Sequence, residues 1–282
     1  MKHSEVLNRY VNTGTRIPEE QYDKLPSSLQ KSYKRMRGVV GYERWEFKIL
    51  TDDERIKFIE SKGKNLLNEN IDNILHYSQN RQNIIIKIIE SKGDNLGTAD
   101  IKSLLEYSQN KDDTVTKIIN VKGEKLIDGS IPKLLAYSHN KTDNNAIKII
   151  ELIGEKLGDY DIEHLIKYTK NKDDIATKII DVKGEKLEPK SVQYLLLYSI
   201  NKDFIATKII QVKRDGLNEW SLGSLLYFSK DKELIKKLLL QNGVDYKFIN
   251  DTITNLKADI PLIPNNYTQT LNEIKRIKEI MK

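Results

Sequence analysis

An aromatic residue followed by a short polar turn recurs along this chain about every 30 residues, and this period constrains the fold more than any other feature. Successive copies lie 30 residues apart, except for one interval of 31. A period that survives the insertion of one residue indicates a repeated structural unit. The recurring aromatics are Tyr77, Tyr107, Tyr137, Tyr168, Tyr198 and Phe228.

Each unit is predicted to form two short helices, of which the first should begin at a capping side chain. Ser, Asp and Asn accept hydrogen bonds from the free N–H groups of a first helical turn. Paired aliphatic residues then follow at the spacing of one helical face, and Pro132 suits a first turn. The predicted caps are Asn70, Asp100, Ser130, Asp161, Ser191 and Ser221.

The second helix of each unit is predicted to end at a glycine, as in DDIATKIIDVKG from Asp173. Glycine is common just after a helix because it adopts the left-handed conformation there. A leucine follows three residues later and is expected to fill the seam before the next unit. These residues are Gly63, Gly93, Gly123, Gly154 and Gly184, with Leu66, Leu96, Leu126, Leu157 and Leu187.

The polar turn, written YSxNKD, is interpreted as a joint between the two helices. The hydroxyl of Ser108 and its equivalents should bond to a carbonyl one turn earlier. Asparagines such as Asn110 should adopt the left-handed conformation at the turn. The aspartates Asp112, Asp173 and Asp203 should then cap the second helix.

Stacking of these units predicts an all-α fold, an α-solenoid of about six two-helix repeats with helical caps at both ends. A unit of thirty residues has too small a core to fold alone, so its neighbours must stabilise it. By period and helix pairing, residues 52–242 resemble short HEAT-like repeats. That resemblance implies an extended binding surface, mostly for proteins and sometimes for DNA.

The two ends depart from the period, which divides the chain into residues 1–50, 51–242 and 243–282. The first segment is predicted to be a basic helical cap, with short helices starting at Pro18 and Pro26. Its stretch RIPEEQYDKLPSSLQKSYKRMR resembles the openings of uncharacterised tailed-phage proteins, which implies a phage origin. The last segment is predicted to contain a loop marked by Pro261 and Pro264, then a capping helix.

The predicted C-terminal helix carries a narrow apolar stripe. This stripe should cover the open end of the last repeat, because a terminal repeat must hide its apolar face. Dimerisation or docking to a partner are the alternatives. The stripe consists of Leu271, Ile274, Ile277 and Met281.

The amino-acid composition limits which cellular compartment and which classes of binding partner are expected. The chain has no cysteine, which excludes disulfides and thiolate chemistry and fits a reducing compartment. Its opening has no apolar run, so a cytoplasmic location without a membrane is expected. The net charge is +6, and residues 1–50 contribute most of it with ten basic and six acidic side chains. The near-neutral repeats argue against a nucleic-acid channel along their length.

A repeated lysine and a single tryptophan are the candidate partner-binding residues. Stacking in register would align the lysines into a row that grips an acidic helix or a phosphate backbone. Alternatively, each lysine pairs with an acid one turn earlier, as Asp113 would with Lys117 and Asp174 with Lys178. The row consists of Lys87, Lys117, Lys148, Lys178, Lys208 and Lys237, and Trp220 is the candidate anchor.

The stretch SSLQKSYKRMR gathers basic residues around Tyr33 and is a second candidate site. It is either the solvated face of a helix or a patch that contacts nucleic-acid phosphates. The recurring tyrosines are expected to pack between layers, although exposed rings would make a stacking platform for bases. The basic residues are Lys31, Lys34, Arg35 and Arg37.

The sequence offers little support for catalysis, a metal or another cofactor. His76, His139 and His164 occupy different repeat positions without zinc spacing, and KGEK ends a helix rather than forming a phosphate loop. Some HEAT-like proteins are DNA glycosylases, for which Glu219–Trp220 and Trp45–Glu46 are candidates. The predicted function is a non-enzymatic scaffold that binds another protein, with a nucleic-acid-binding solenoid as the alternative.

Overall fold

The protein is helical throughout the part of the chain that the computed structural model describes, which is residues 17, 19–40, 46–126, 129–213 and 216–257. These ranges contain no strand, which confirms the all-α prediction. The α-helices are α1 (Glu19–Tyr22), α2 (Ser27–Val40), α3 (Asp52–Lys62), α4 (Asn68–Tyr77), α5 (Arg81–Lys92), α6 (Thr98–Tyr107), α7 (Lys111–Lys122), α8 (Ile131–Tyr137), α9 (Thr142–Ile153), α10 (Asp159–Tyr168), α11 (Lys172–Lys183), α12 (Pro189–Tyr198), α13 (Lys202–Lys213), α14 (Glu219–Phe228), α15 (Lys232–Gln241) and α16 (Tyr246–Lys257).

Two helices precede the repeats and begin where the prolines predict. α1 starts directly after Pro18 and α2 directly after Pro26. The carbonyl of Pro26 accepts hydrogen bonds from the N–H groups of Leu29 and Gln30, which opens α2. A small apolar cluster holds this segment together, formed by Ile17, Tyr22, Leu25 and Tyr33.

From α3 onward, the helices alternate between the first and the second position of a repeat. The chain divides into two compact units, residues 1–137 and 138–282. In the first unit, α4, α6 and α8 contact one another in succession, as do α3, α5 and α7. In the second unit, the same holds for α10, α12 and α14, and for α9, α11, α13 and α15. Within each unit, first helices therefore pack on first helices and second helices on second helices.

Five of the six first helices with a predicted cap begin earlier than predicted, so the prediction of those five caps is wrong. Asp100 and Asp161 occupy the third helical position of α6 and α10. Their carboxylates accept hydrogen bonds from the backbone N–H groups of Gly97 and Gly158, at 2.9 and 3.3 Å. An acidic side chain at this position binds the N–H of the cap residue itself. Asn70, Ser191 and Ser221 also lie inside their helices, whereas Ser130 directly precedes α8.

Asparagine caps the second helix of several repeats and is not left-handed. Asn80 and Asn110 have φ angles of −97° and −115°, contrary to the prediction. Their side-chain oxygens accept hydrogen bonds from the N–H groups of Asn83 and Asp113, each at 3.2 Å. The asparagine therefore starts the second helix through its side chain, and left-handed backbone is not required at the turn.

Two of the three aspartates expected to cap the second helix, Asp173 and Asp203, contact the next repeat instead. Asp173 accepts hydrogen bonds from the N–H groups of Ile200 and Asn201, at 2.8 and 3.0 Å. Asp203 does the same for Lys230, at 2.7 Å. The predicted capping role of Asp173 and Asp203 is therefore wrong. Equivalent bonds to N–H groups 27 or 28 residues further on come from Asp52 and Asp143.

The basic residue of the turn stacks on the recurring aromatic of the following repeat. Such a contact between a cation and a ring contributes about 0.5–1 kcal/mol where it is solvated. Lys202 also donates a hydrogen bond to the carbonyl of Leu197, at 2.8 Å, which closes the end of its own first helix. The four stacked pairs are Arg81 with Tyr107, Lys111 with Tyr137, Lys172 with Tyr198 and Lys202 with Phe228.

The buried hydroxyls of the turn fulfil their predicted role in part. Ser78 and Ser199 donate to the carbonyls of Ile74 and Leu195, one turn earlier, at 2.7 and 2.6 Å. Ser108 instead donates to Gln82 of the preceding repeat, at 3.1 Å. The position serves the end of the first helix or the seam between repeats, depending on its neighbours.

A lysine at the C-terminal end of four second helices is buried, and the sequence patterns did not indicate this. Its ammonium group donates a hydrogen bond to the carbonyl of the seam leucine 26 residues earlier. Burial lowers the pKa of Lys213. In the repeat that has the extra residue, Ile153 takes the position of this lysine. The donor–acceptor pairs are Lys92–Leu66 at 2.5 Å, and Lys122–Leu96, Lys183–Leu157 and Lys213–Leu187 at 2.7 Å.

Four of the five predicted glycine stops have positive φ, between 50° and 56°. Gly154 is the exception, with a φ of −48°, and it follows Ile153 instead of the usual lysine. A Cβ atom on Gly154 would meet the side chain of Val182 in the next repeat, so close packing requires glycine there. Each glycine opens a 3-10 turn that ends at a buried seam leucine, namely Gly63–Asn65, Gly93–Asn95, Gly123–Lys125, Gly154–Lys156 and Gly184–Lys186.

A helix that the sequence patterns did not indicate follows the last full repeat. α16 runs from Tyr246 to Lys257, where only a loop before a later helix was predicted. It packs against α14 and buries Ile249 and Thr252, so it takes a first-helix position. The predicted apolar stripe from Leu271 to Met281 lies outside the residues that the structure describes.

Candidate binding surface

Aromatic side chains accumulate on three neighbouring first helices of the second unit. Tyr160, Tyr168 and Tyr227 are 59%, 40% and 45% exposed, which is unusual for rings of this size. We call this region the aromatic surface. It consists of Tyr160, His164 and Tyr168 on α10, the buried Tyr194 and the half-buried Tyr198 on α12, and Tyr227 with the half-buried Trp220 and Phe228 on α14.

On α10, three rings at a spacing of four residues form one continuous stack. The ring centres of Tyr160 and His164 lie 4.2 Å apart, and those of His164 and Tyr168 lie 5.8 Å apart. His164 Nδ1 is 2.8 Å from the carbonyl oxygen of Tyr160. Because a carbonyl oxygen only accepts hydrogen bonds, Nδ1 carries a proton and fixes the ring between the two tyrosines.

On α12, the two tyrosines stack on each other and are held from both sides. Their ring centres lie 6.4 Å apart with an angle of 27° between planes, and the Lys190 ammonium lies 5.9 Å from the Tyr194 ring. The Tyr198 hydroxyl donates a hydrogen bond to Glu163 of α10, at 3.1 Å. Burial and the nearby Glu163 carboxylate raise the pKa of Tyr194 to about 12 and also raise that of Tyr198. Both hydroxyls therefore stay neutral at physiological pH.

The seam between α10 and α12 is joined by two hydrogen bonds that the next seam lacks. In the first seam, Ser191 donates to Asp159, and Tyr198 donates to Glu163. One repeat later, Pro189 stands in place of Asp159, and Phe228 stands in place of Tyr198. Proline offers no side-chain acceptor, and phenylalanine has no hydroxyl.

Two buried polar groups between α12 and α14 consequently have no partner among the described residues. They are the hydroxyl of Ser221 and the side-chain amide of Gln193, both fully buried. A buried polar group without a hydrogen bond costs about 1–3 kcal/mol. The aromatic surface therefore includes a seam that is less stable than the one beside it.

Restoring the missing hydroxyl should stabilise this seam. We expect Phe228→Tyr to raise the free energy of unfolding by about 1 kcal/mol, because its hydroxyl would reach Gln193 as Tyr198 reaches Glu163. The matched variant Tyr198→Phe should lower it by a similar amount. Urea denaturation monitored by circular dichroism measures both, and a loss of stability in Phe228→Tyr would contradict the expected pairing.

Trp220, the predicted anchor, lies at the N-terminal end of α14 within the aromatic surface. Its side chain is partly buried, and no described residue accepts a hydrogen bond from its buried Nε1–H group. Glu219 beside it accepts a hydrogen bond from Asn255 of α16, at 3.5 Å. The indole is therefore fixed next to a contact between helices and retains an unused donor.

Two positions that carry rings on α10 have no aromatic residue in the first unit, although the recurring tyrosine is present in both units. Where α10 carries Tyr160 and His164, α4 carries Glu69 and Asn73, and α6 carries Ala99 and Ser103. The recurring residues do not reveal this difference, because they are the same in both units. Comparing the residues that vary among repeats would have revealed it.

Some lysines of the predicted row form ion pairs, and others are exposed. Lys117 forms an ion pair with Glu90 at 2.8 Å, and this lowers the pKa of the Glu90 carboxyl. Lys87 lies 3.6 Å from Glu90 as well, and Lys208 lies 3.6 Å from Asp181. The partners of Lys117 and Lys208 belong to the preceding repeat rather than to the same helix. Lys178 and Lys237 are exposed, and Lys148 is half-buried.

The basic N-terminal candidates do not form one exposed patch. Lys31 is exposed, but Lys34 forms an ion pair with Glu54 at 3.0 Å. Arg37 is buried and forms an ion pair with Glu46 at 2.9 Å. The side chain of Arg35 lies outside the described residues, as does Trp45. Burial removes Arg37 from the residues that could contact a phosphate.

A buried polar network around Glu46 escaped the sequence analysis. The fully buried Glu46 carboxylate accepts hydrogen bonds from Tyr33 and Arg37, and the Tyr33 oxygen accepts one from the N–H of Ile17 at 3.4 Å. Burial and the Glu46 contact raise the pKa of Tyr33. The signal that could have indicated this network is the position of Glu46 between two large aromatic residues, Trp45 and Phe47.

Within the ranges given above, no group of three or more His, Asp or Glu side chains could hold a metal ion. No helix in that part of the chain is long and apolar enough to cross a bilayer. Comparison with known proteins adds no family, since no family model, curated protein or solved structure matches this chain.

Proposed function

We propose that this protein is a non-enzymatic α-solenoid of HEAT-like repeats that binds another protein through its aromatic surface. The stacking of first helices on first helices within each unit supports the solenoid arrangement. Exposed Tyr side chains beside the half-buried Trp220 support the binding role, because Tyr and Trp are enriched among the residues that dominate binding energy at protein interfaces. The observation that carries the proposal is the aromatic surface on α10, α12 and α14.

The charges near this surface favour a protein partner over nucleic acid. Exposed Lys167 and Lys190 are offset by half-buried Glu163 and exposed Glu219. A site for single-stranded nucleic acid combines stacked rings with a clear cationic excess along the phosphate backbone. The second candidate, nucleic-acid binding through the lysine row, is weakened by the ion pairs of Lys117 and Lys208.

Site-specific photocrosslinking in the native host tests the proposal. A photoreactive phenylalanine analogue replaces Tyr160 or Tyr227, and the matched control carries it at Glu69, the position equivalent to Tyr160 in the first unit. We expect a discrete protein adduct from the two surface positions and none from the control. With the partner identified, Trp220→Ala should weaken binding about 30-fold, as for a hot-spot residue worth about 2 kcal/mol.

Three results would contradict this proposal. Adducts of equal yield at Glu69 would show that the aromatic surface is not selective, and no adduct at any position would remove the binding role. An adduct that disappears on nuclease treatment would favour nucleic acid. In that case, the affinity of the purified protein for single-stranded DNA should fall steeply with salt.

A further inference from the structure

A groove opens between α15 and α16 at the end of the second unit. It has a volume of about 520 Å³ and is lined by successive turns of both helices. Lining residues at a helical spacing on two walls indicate a trough that fits a third helix. The walls are Glu233, Lys236, Lys237, Leu240 and Gln241 on α15, and Tyr246, Ile249 and Asn250 on α16.

The apolar lining of this groove is exposed where the other repeats bury the same position. Leu240 is 43% exposed, whereas its repeat equivalents Ile180 and Ile210 are fully buried. Tyr246 is 66% exposed on the opposite wall. In the preceding repeats, the second helix of the next layer packs on this side, as α13 does on α11 and α15 on α13. The groove therefore lies where a further second helix belongs.

The sequence after α16 is long enough to supply a helix that could occupy this groove. α16 occupies a first-helix position, and 25 residues follow it in the sequence. Residues 268–281 carry an apolar stripe, and as a helix they would be about 21 Å long, against about 15 Å for α15. Residues 258–267 can span up to about 33 Å, which is enough to return from α16 to the groove.

We propose that residues 268–281 of the same chain fill this groove and complete one more repeat. Leu271, Ile274 and Ile277 would then cover Leu240, and Lys237 would lie at the rim of a covered seam instead of on an open face. The inference does not depend on the proposed function, since the groove and the aromatic surface involve different residues.

A disulfide experiment on the full-length chain tests the proposal, because the protein has no native cysteine. The double variant Leu240→Cys, Ile274→Cys should form an intramolecular disulfide under mild oxidation, since its Cα atoms would lie within about 7 Å. The matched control Leu240→Cys, Arg276→Cys places the second thiol on the opposite side of the helix. Non-reducing electrophoresis measures the crosslinked fraction.

Equal crosslinking in both pairs would overturn the proposal. A disulfide found only in dimers would also overturn it and would assign the groove to a second copy of the chain.

Alkylation of a single thiol gives an independent measurement that does not require a disulfide. In Leu240→Cys, the thiol should react slowly, and adding Ile274→Asp should raise the alkylation rate at least about tenfold by releasing the covering segment. Arg276→Asp, the matched control, should leave the rate unchanged. Fast alkylation of Leu240→Cys with the native segment would show that residues 268–281 do not cover the groove.

Discussion

Replacing Glu46 with Gln is expected to lower the free energy of unfolding of the N-terminal segment by about 3–5 kcal/mol. The substitution preserves the shape of the side chain but removes the charge opposite the buried Arg37 guanidinium, at 2.9 Å. A buried cation has lost its hydration, and without its counterion no electrostatic attraction offsets that loss. Urea denaturation, combined with hydrogen exchange of the α2 amides, measures the loss.

The control for this variant removes an ion pair of the same segment at the surface. Glu19 and Lys48 lie 3.0 Å apart with both side chains largely exposed. Exposed pairs contribute little because water and salt screen them, so Glu19→Gln should leave the denaturation midpoint nearly unchanged. If both variants lost a similar amount of stability, burial would not make the Glu46–Arg37 ion pair more stabilising than an exposed pair.

Replacing Lys183 with Met is expected to cost about 2–3 kcal/mol of stability in the second unit. The ammonium group donates hydrogen bonds to the carbonyls of Leu157 and Glu155, at 2.7 and 3.4 Å. Methionine keeps most of the packing volume but leaves the buried Leu157 carbonyl without this charged donor. Chemical denaturation measures the change, and amide exchange around Leu157 reports where it occurs.

The neighbouring Lys186 provides the control because its ammonium pairs with Glu155 at the surface, at 3.0 Å. Lys186→Met should have little effect on stability. If Lys183→Met were as mild as Lys186→Met, the buried lysine would be only a long aliphatic spacer. The presence of Ile153 at the equivalent position of another repeat makes this comparison informative.

The sequence predicted the helical pairs and their apolar faces, but not the roles of most polar residues. Leu104, Leu105, Ile179 and Ile180 are fully buried as expected, because helical periodicity alone determines which face a residue occupies. Polar side chains of one type have several possible partners. An aspartate can cap its own helix, bind the cap residue's N–H as Asp100 does, or reach the next repeat as Asp173 does.

The candidate surface could be predicted only in part because function depends on what differs between repeats. Trp220 was recognised as a departure from the repeat, and the same criterion applied to Tyr160 and Tyr194 would have located the aromatic surface. The burial of Arg37 could not be predicted, because its partner Glu46 lies beyond the end of α2, in a separate 3-10 turn (Glu46–Ile49). A basic residue on an amphipathic helix has the same pattern whether it faces water or a buried carboxylate.

The carboxylate and ammonium contacts between repeats span a nearly constant distance along the sequence, 26 residues for Lys183 with Leu157 and 27 for Asp173 with Ile200. Such contacts depend on the phase of the repeat and not on the identity of a particular copy. Duplication or loss of one whole unit inside the array would therefore give every donor a substitute acceptor. A gene for this protein could change length in steps of one repeat while the protein remained foldable.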